Sequence, residues 1–470
     1  MTSDNCRKRQ EAEAVVNDQG QYLLSLTTGA MDVTAKEEHT FPEETISSSY
    51  QPTIESLVRD WNIHEAARAV RRNKGAPGID RMPVEQLEDF LSKEWPKIKR
   101  AILEGKYHPK PVQRVEIPKP DGKGIRKLGI PVVVDRMIQQ AILQEISPVF
   151  EPTFSKHSYG FRPGKSAHQA VKQAQEYILE GNTWVVDIDL EKFFDSVNHD
   201  MLMARVGRKI HDKKILLLIR RYLKAGIMEN RLIKPSEEGT PQGGPLSPLL
   251  SNILLDDLDR ELERRGHKFC RYADDFKIYL RSEKAANRVI KSVTKYLTKK
   301  LKLNVNEDKS GVKRPWEGQF LGFTFTGKED GCRIKPDRKR VKRFREKVKK
   351  TLKSCKAIGV QETVKKQLNR LTRGWINYFK IVEVPETISS LDGWMRRQIR
   401  YALWRQWKNT KSRKRKLRER GIRSQGQRTA YSSKGPWRIA KSKTIHMALG
   451  NEWLKKWGFC PMLEILGSTS

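Results

Sequence analysis

Cysteine is scarce and poorly spaced in this chain of 470 residues. The five present, Cys6, Cys270, Cys332, Cys355 and Cys460, form no CxxC pair and have no nearby histidine pair at finger spacing. That argues against structural zinc and against a disulfide framework, and it leaves Cys270 as a small buried thiol. Long apolar runs are missing too. No stretch approaches the roughly 20 residues of a membrane-spanning helix, and the start MTSDNCRKRQEAEA has no apolar signal core. A soluble, intracellular protein is therefore expected. Negative charge is in deficit: 56 Asp and Glu face 93 Lys and Arg, a formal charge of +37. Solubility does not require such an excess, which points to a polyanion, with nucleic acid ahead of an anionic membrane surface.

The length and a hydrophobic fraction of 37% suit several modest cores. Residues 1–52 are polar and Ser/Thr-rich and are expected to form a mobile leader. From Ile54 a helical pattern runs through Leu57, Trp61, Ile63, Ala66 and Val70 until NKGAPGID stops it at Gly75, Pro77 and Gly78. The stretch VQRVEIPKPDGKGIRKLGIPVVVDRM reads as strand, turn and strand, then a helix beginning near Val134 or Asp135. Its Asp-Gly turn would bring Lys119 close to Arg126. WVVDIDLEKFFDSVNHDML reads as a buried strand leading to a helix, and TPQGGPLSPLLSNILLDDLDRELERR as a turn feeding a long helix. An amphipathic helix, a short strand and the alternating QFLGFTF follow. The order implies an α+β fold around one antiparallel sheet, with a Lys-, Arg- and Trp-rich helical domain beginning near residue 328.

KFCRYADDFKIYL, residues 268–280, carries adjacent acids, Asp274 and Asp275, where a strand would send them to opposite faces. A hairpin tip removes that conflict. Aspartate is common in such turns for purely local reasons. A second strand, however, ends in an acid, Asp189. Three converging carboxylates would repel one another unless divalent cations lay between them. Two Mg²⁺ ions in such a cage would activate a hydroxyl and stabilise in-line phosphoryl transfer. Asp187, two residues before Asp189, shares its strand face, so spacing alone leaves that choice open.

DIDLEKFFDSV, GTPQGGPLSPLLSNILL, RYADDF, LNVNEDKS and FLGFTF, in this order, resemble the reverse transcriptases encoded by bacterial group II introns, with NKGAPGID and RGWINYF extending the likeness over about residues 55–465. The resemblance implies a right-hand polymerase: fingers and palm over 53–327, a helical thumb or maturase region over 328–408, and a small DNA-binding segment and tail over 409–470. It implies that Asp189, Asp274 and Asp275 are the catalytic, Mg²⁺-binding acids. Asp189 is chosen over Asp187 because an aromatic, Phe194, stands five residues after it, placed to reject a ribose 2′-hydroxyl. Lys119 and Arg126 are expected to grip the incoming dNTP triphosphate, and Gln242 to contact the nucleotide. Lys309 is either a proton donor to pyrophosphate or a plain surface lysine. Gly243 and Gly244 serve close backbone approach or the turn alone.

Seven of the 11 tryptophans lie between Trp375 and Trp457, among arginines and lysines. The run KSRKRKLRERGIR, with Arg413, Lys414, Arg415, Lys416 and Arg418, is expected to face nucleic acid. By resemblance the partners are intron RNA in a ribonucleoprotein, an RNA template with a DNA primer, and target DNA, in a cytoplasmic, nucleoid-associated bacterial protein. No HNH endonuclease cluster is present, which resembles the compact, group IIC-like class and suggests a primer supplied by the host. The alternatives are an RNA-binding splicing factor without polymerase activity and a retron or defence-associated reverse transcriptase. The sequence leaves oligomeric state open.

Overall fold

A computed structural model describes residues 50–118, 124–229, 232–234, 238–240, 243–356 and 358–467, and the chain divides into two compact units, 1–314 and 315–470. The expected leader lies outside the described residues as far as residue 49.

In the first unit the strands run β1 (Val112–Pro118), β2 (Ile125–Ile130), β3 (Trp184–Ile188), β4 (Ile227–Glu229), β5 (Leu232–Lys234), β6 (Lys268–Tyr272), β7 (Asp275–Leu280) and β8 (Gly311–Lys313). They form two sheets, ordered β2-β1-β4-β5 and β6-β7-β3-β8; the second is antiparallel throughout. The expected α+β class holds. β3 is a strand because Val185, Val186 and Ile188 are β-branched and buried, fitting a pleated surface covered by helices. The helix Ala167–Leu179 starts at a capping box in which Ser166 and Gln169 exchange hydrogen bonds, and Ser282 caps Glu283–Lys300. Both helices pack on this sheet. Phe269, Phe276 and Ile278 from the β6–β7 hairpin join Ile142, Leu254 and Leu297 from the helices in one core. Each such side chain contributes about 1.5–3 kcal/mol by leaving water.

The helix expected near Val134 is Val133–Phe150. The first helical stretch is two helices, Ile54–Leu57 and Asp60–Arg72, because Arg59 is extended, with φ −61 and ψ 141.

The second unit is mostly helical, including Arg338–Lys353, Asn369–Tyr378, Pro385–Gln406 and Thr410–Arg418. One expectation fails here. QFLGFTF does not join the large sheet; only β9 (Phe323–Phe325) is extended, and it pairs with β10 (Ile334–Pro336) in a separate ladder. The cause is local. Leu321 and Gly322 turn the chain at φ 53 and 84, and Phe323 is held by Tyr378 and Phe379, with ring centroids 5.5 and 4.9 Å away. The compact division accordingly falls between Arg314 and Pro315, earlier than the 327/328 boundary suggested by composition.

The β6–β7 hairpin turns through Ala273 and Asp274, with Ala273 at φ 58. The loop before Ala167–Leu179 presses onto this turn: a Cβ added to Gly160 would lie 2.3 Å from the Ala273 nitrogen. Backbone atoms there cannot yield. Gly160→Ala should therefore destabilise the first unit by about 1–3 kcal/mol, read as a lower urea midpoint at unchanged slope. An unshifted midpoint would show that the loop moves freely.

Candidate active site

The β3–β7 ladder ends with Ile188 opposite Phe276, so one further step of the same register sets Asp189 beside Asp275. Asp187 stands opposite Lys277 on the same face of the sheet. The two acids, Asp187 in β3 and Asp189 just past its end, meet different surroundings. Asp187 is ion-paired with both Lys277 and Lys313 and is buried. Asp189 is 47% exposed and carries Lys309 at 3.3 Å, with the lysine itself 60% exposed. The backbone of Asp189 is fixed on both sides: its N–H donates to Ser310 Oγ at 3.0 Å, and its carbonyl accepts from Asn306 N–H at 2.8 Å. Asp275 lies 3.3 Å from Lys277. Loss of water raises the Asp275 carboxyl; Lys277 pulls it back, while the charges of Asp187 and Asp189 push it further up. Burial alone would lower the Lys277 ammonium, but Asp275 and Asp187 raise it.

Behind the hairpin tip sits a residue that the sequence did not single out. Arg271 and Asp259 are both fully buried, with Arg271 Nη2 2.6 Å from Asp259 Oδ2 and Nε 2.8 Å from Oδ1. The other arm, Nη1, donates to Asn252 Oδ1 at 2.9 Å and to the Ala273 carbonyl at 3.0 Å. Asn252 Nδ2 in turn donates to the Gly160 carbonyl at 2.9 Å. One guanidinium thus ties the acidic turn, the long helix Ser247–Arg264 and the Gly160 loop together.

Residues 117–325 match the family model described as reverse transcriptase (RNA-dependent DNA polymerase), and residues 341–421 that of the group II intron maturase-specific domain. Protein YkfC of Escherichia coli is 35% identical over 57% of this chain and 82% of its own length. The group II intron-encoded protein LtrA of Lactococcus lactis is 29% identical over 62% of this chain and 59% of its own length. The chain belongs to the group II intron reverse transcriptases. A solved chain of the partial Cas6-RT-Cas1–Cas2 complex overlaps 53% of this chain and 43% of its own, at 27% identity and a TM-score of 0.35.

Within the reverse transcriptase domain, Phe193 is buried and Phe194 half-buried, their rings edge to face at 5.2 Å. Their turn, Phe193–Asp195, is stapled to the glycine loop: Thr240 N–H donates to the Phe194 carbonyl at 2.7 Å and Gly239 N–H to that of Val197 at 2.8 Å. Gly243, at φ 134, comes so close to Gly129 that a Cβ would sit 2.4 Å from its carbonyl oxygen, and Gly244 would meet Gln139 at 2.3 Å. Gln242 and Lys119 lie outside the described residues. Arg126 occupies β2 opposite Ile117, which places its backbone on the hairpin as expected. Cys270 is buried, and burial pushes its thiol up.

The donor chemistry fits Mg²⁺, a hard cation that is commonly held by one or two carboxylates plus substrate phosphates. Asp189 and Asp275 supply two, and Asp274 is the turn residue next to them. Among the described residues no group of three His, Cys, Asp or Glu side chains is arranged to hold an ion by itself.

In the maturase-specific region the basic run is partly spent on the protein itself. Arg413 donates to the Trp407 carbonyl at 2.9 Å and stacks on Trp404 at 4.8 Å; Lys414 lies 4.1 Å over Tyr431. Lys416 pairs with Glu419 at 3.1 Å, and Arg415 approaches the same acid at 3.9 Å. Arg418 is exposed, without an ion pair among the described residues.

Arg271→Ala would leave Asp259 charged and unpaired in the core, and a loss of about 3–5 kcal/mol is expected. Denaturant unfolding measures it, and Arg271→Lys, which cannot reach Asn252 and Ala273 with a fork, should recover only part.

Proposed function

We propose that this RNA-directed DNA polymerase extends a DNA primer on an RNA template, using dNTPs and two Mg²⁺ ions held at Asp189, Asp274 and Asp275, and that its maturase domain binds intron RNA. The observation that carries the reading is the register setting Asp189 beside Asp275 at the tip of the hairpin, inside the reverse transcriptase match. Bound Mg²⁺ would supply Lewis-acid stabilisation of the charge that builds up during in-line transfer. The chain's own residues do the rest. Asp189, just past the end of β3, remains open to solvent, whereas Asp187 within the strand is already neutralised by two lysines. The Lys309 ammonium is within reach of the same carboxylate and would be released as a proton donor for pyrophosphate once Asp189 turned to an ion.

Phe194 lies at the surface end of a buried aromatic pair on a turn with hydrogen-bonded flanks. A ring fixed in this way could exclude a ribose 2′-hydroxyl by bulk. Arg126, Lys119 and Gln242 are assigned to the triphosphate and the nucleotide on the family motif. Intron RNA and target DNA are the assigned macromolecular partners, in the bacterial cytoplasm. No helix among the described residues is long and apolar enough to cross a membrane.

Primer extension tests this directly, with oligo(dT) on poly(rA), dTTP and Mg²⁺. Wild-type protein should extend, and Asp275→Asn should fall to background while unfolding at the parent's denaturant midpoint or above it, since the cost of holding that carboxylate's charge away from water is removed. Retained extension would overturn the assignment. Phe194→Val should shift the preference between deoxy- and ribonucleotides by roughly 10- to 200-fold, the range that a change of bulk in a pocket commonly gives. The ratio of kcat/KM for dTTP and UTP checks it.

A further inference from the structure

Between the helices Arg338–Lys353 and Pro385–Gln406 of the second unit, and lined also by Trp437, lies a half-open cavity of about 1090 Å³. Three aromatics, Trp394, Tyr401 and Trp437, and four cations, Lys349, Lys353, Arg405 and Lys408, are among the residues that line it. No acid lines it. Lys349 and Lys353 have no ion pair among the described residues, and Arg405 has the Tyr401 ring 5.7 Å away. The aromatics are braced from within. Arg397 lies 3.7 Å over Trp437 and Arg345 5.6 Å over Trp394, and the Nε atoms of both arginines are buried without a hydrogen-bond partner. Tyr401 meets Trp437 edge to face at 5.8 Å. Trp437 nonetheless keeps 38% of its surface in solvent.

Two features constrain the occupant. Aromatic faces set among unopposed cations suit a planar ring joined to phosphate, because every base offers a π-face and the backbone offers the charge. A cavity of this volume matches the scale of small-ligand clefts, so it admits one or two nucleotides and not a duplex. Structured RNA presents such unstacked bases in its loops and bulges. We propose that this cavity is a capture site for an unpaired nucleotide of structured RNA, the base stacking on the exposed side of Trp437 with its edge toward Tyr401 and the flanking phosphates meeting Lys353 and Arg405. The assignment rests on the maturase reading and adds to it a defined place and a nucleotide-sized target.

The test uses the full chain and a short oligoadenylate carrying a single thiouridine. Ultraviolet crosslinking followed by peptide mapping should mark the peptide holding Tyr401 or Trp437. Fluorescence anisotropy should show Trp437→Ala weakening the same oligonucleotide by about 5- to 100-fold, the range for loss of one base stack, while Trp437→Phe, which keeps a stacking face, should hold most of the affinity. Crosslinks confined to other peptides, or equal binding by Trp437→Ala, would overturn the proposal. So would duplex RNA, the matching deoxyoligonucleotide or polyglutamate competing as well as oligoadenylate. A protein that crosslinks here yet fails to extend a primer would lose the polymerase reading and keep this site.

Discussion

The ion pair between Arg271 and Asp259, with neither side chain exposed, is the constraint on which the candidate site depends. Stability alone does not explain it, because two well-packed apolar residues could serve a core as well without the cost of removing two charges from water. Its geometry does explain it. A guanidinium fork can satisfy Asp259 on one side and still present Nη1 to Asn252 and to the Ala273 carbonyl. An apolar side chain could hold none of these. The turn it grips includes Ala273 in the left-handed region, a conformation disfavoured for a residue with a Cβ and kept by its surroundings. The Gly160 loop, tied to the same network through Asn252, closes over that turn. Two acids are thereby presented on backbone that has little freedom to move.

A second electrostatic layer lies in front. On this face three carboxylates, Asp187, Asp189 and Asp275, are countered by Lys277, Lys313 and Lys309. The lysines are not equivalent. Charges about 4 Å apart interact by about 1 kcal/mol in water and about 4 kcal/mol in surroundings typical of a protein surface. Lys309, well exposed, is near the weak end of that range and is the lysine that a divalent ion could displace from Asp189. Lys277, nearly buried between two acids, is near the strong end. It acts as a permanent internal cation, limiting the repulsion between Asp187 and Asp275 whether or not metal is bound.

The sequence made the acids legible because their chemistry is unusual in its setting: aspartates at a strand end and at a hairpin tip, in a strongly basic chain, demand an explanation. The hairpin, the strand before it and the long helix after the glycine turn were legible for the same reason that they form, namely period and turn chemistry. Three things were not. Arg271 looked like one more arginine, since nothing local distinguishes a buried base from a surface one and its partner Asp259 is on a different element. Spacing could not separate Asp187 from Asp189, and only the family motif favoured Asp189; the two lysines that pair with Asp187, Lys277 and Lys313, lie on neighbouring strands. QFLGFTF alternated as a strand should, but its aromatic partners, Tyr378 and Phe379, lie far along the chain and draw it into the second unit.

The same limit applies to the basic half, with a consequence for how its charge is interpreted. A count of lysines and arginines treats each as available to phosphate, yet Arg413, Lys414 and Lys416 already stack on, or pair with, neighbours within their own unit. Their charge still contributes to the long-range potential that draws in a polyanion. Their donors, however, are engaged, so close contact with RNA would first require breaking a stack or an ion pair. Lys349 and Lys353, which have no such partner among the described residues and line the same cavity as the partly open Trp437, can bind without breaking a stack or an ion pair. On that criterion the walls around Trp437, and not the densest basic run in the sequence, are the part of the second unit best prepared for a nucleotide.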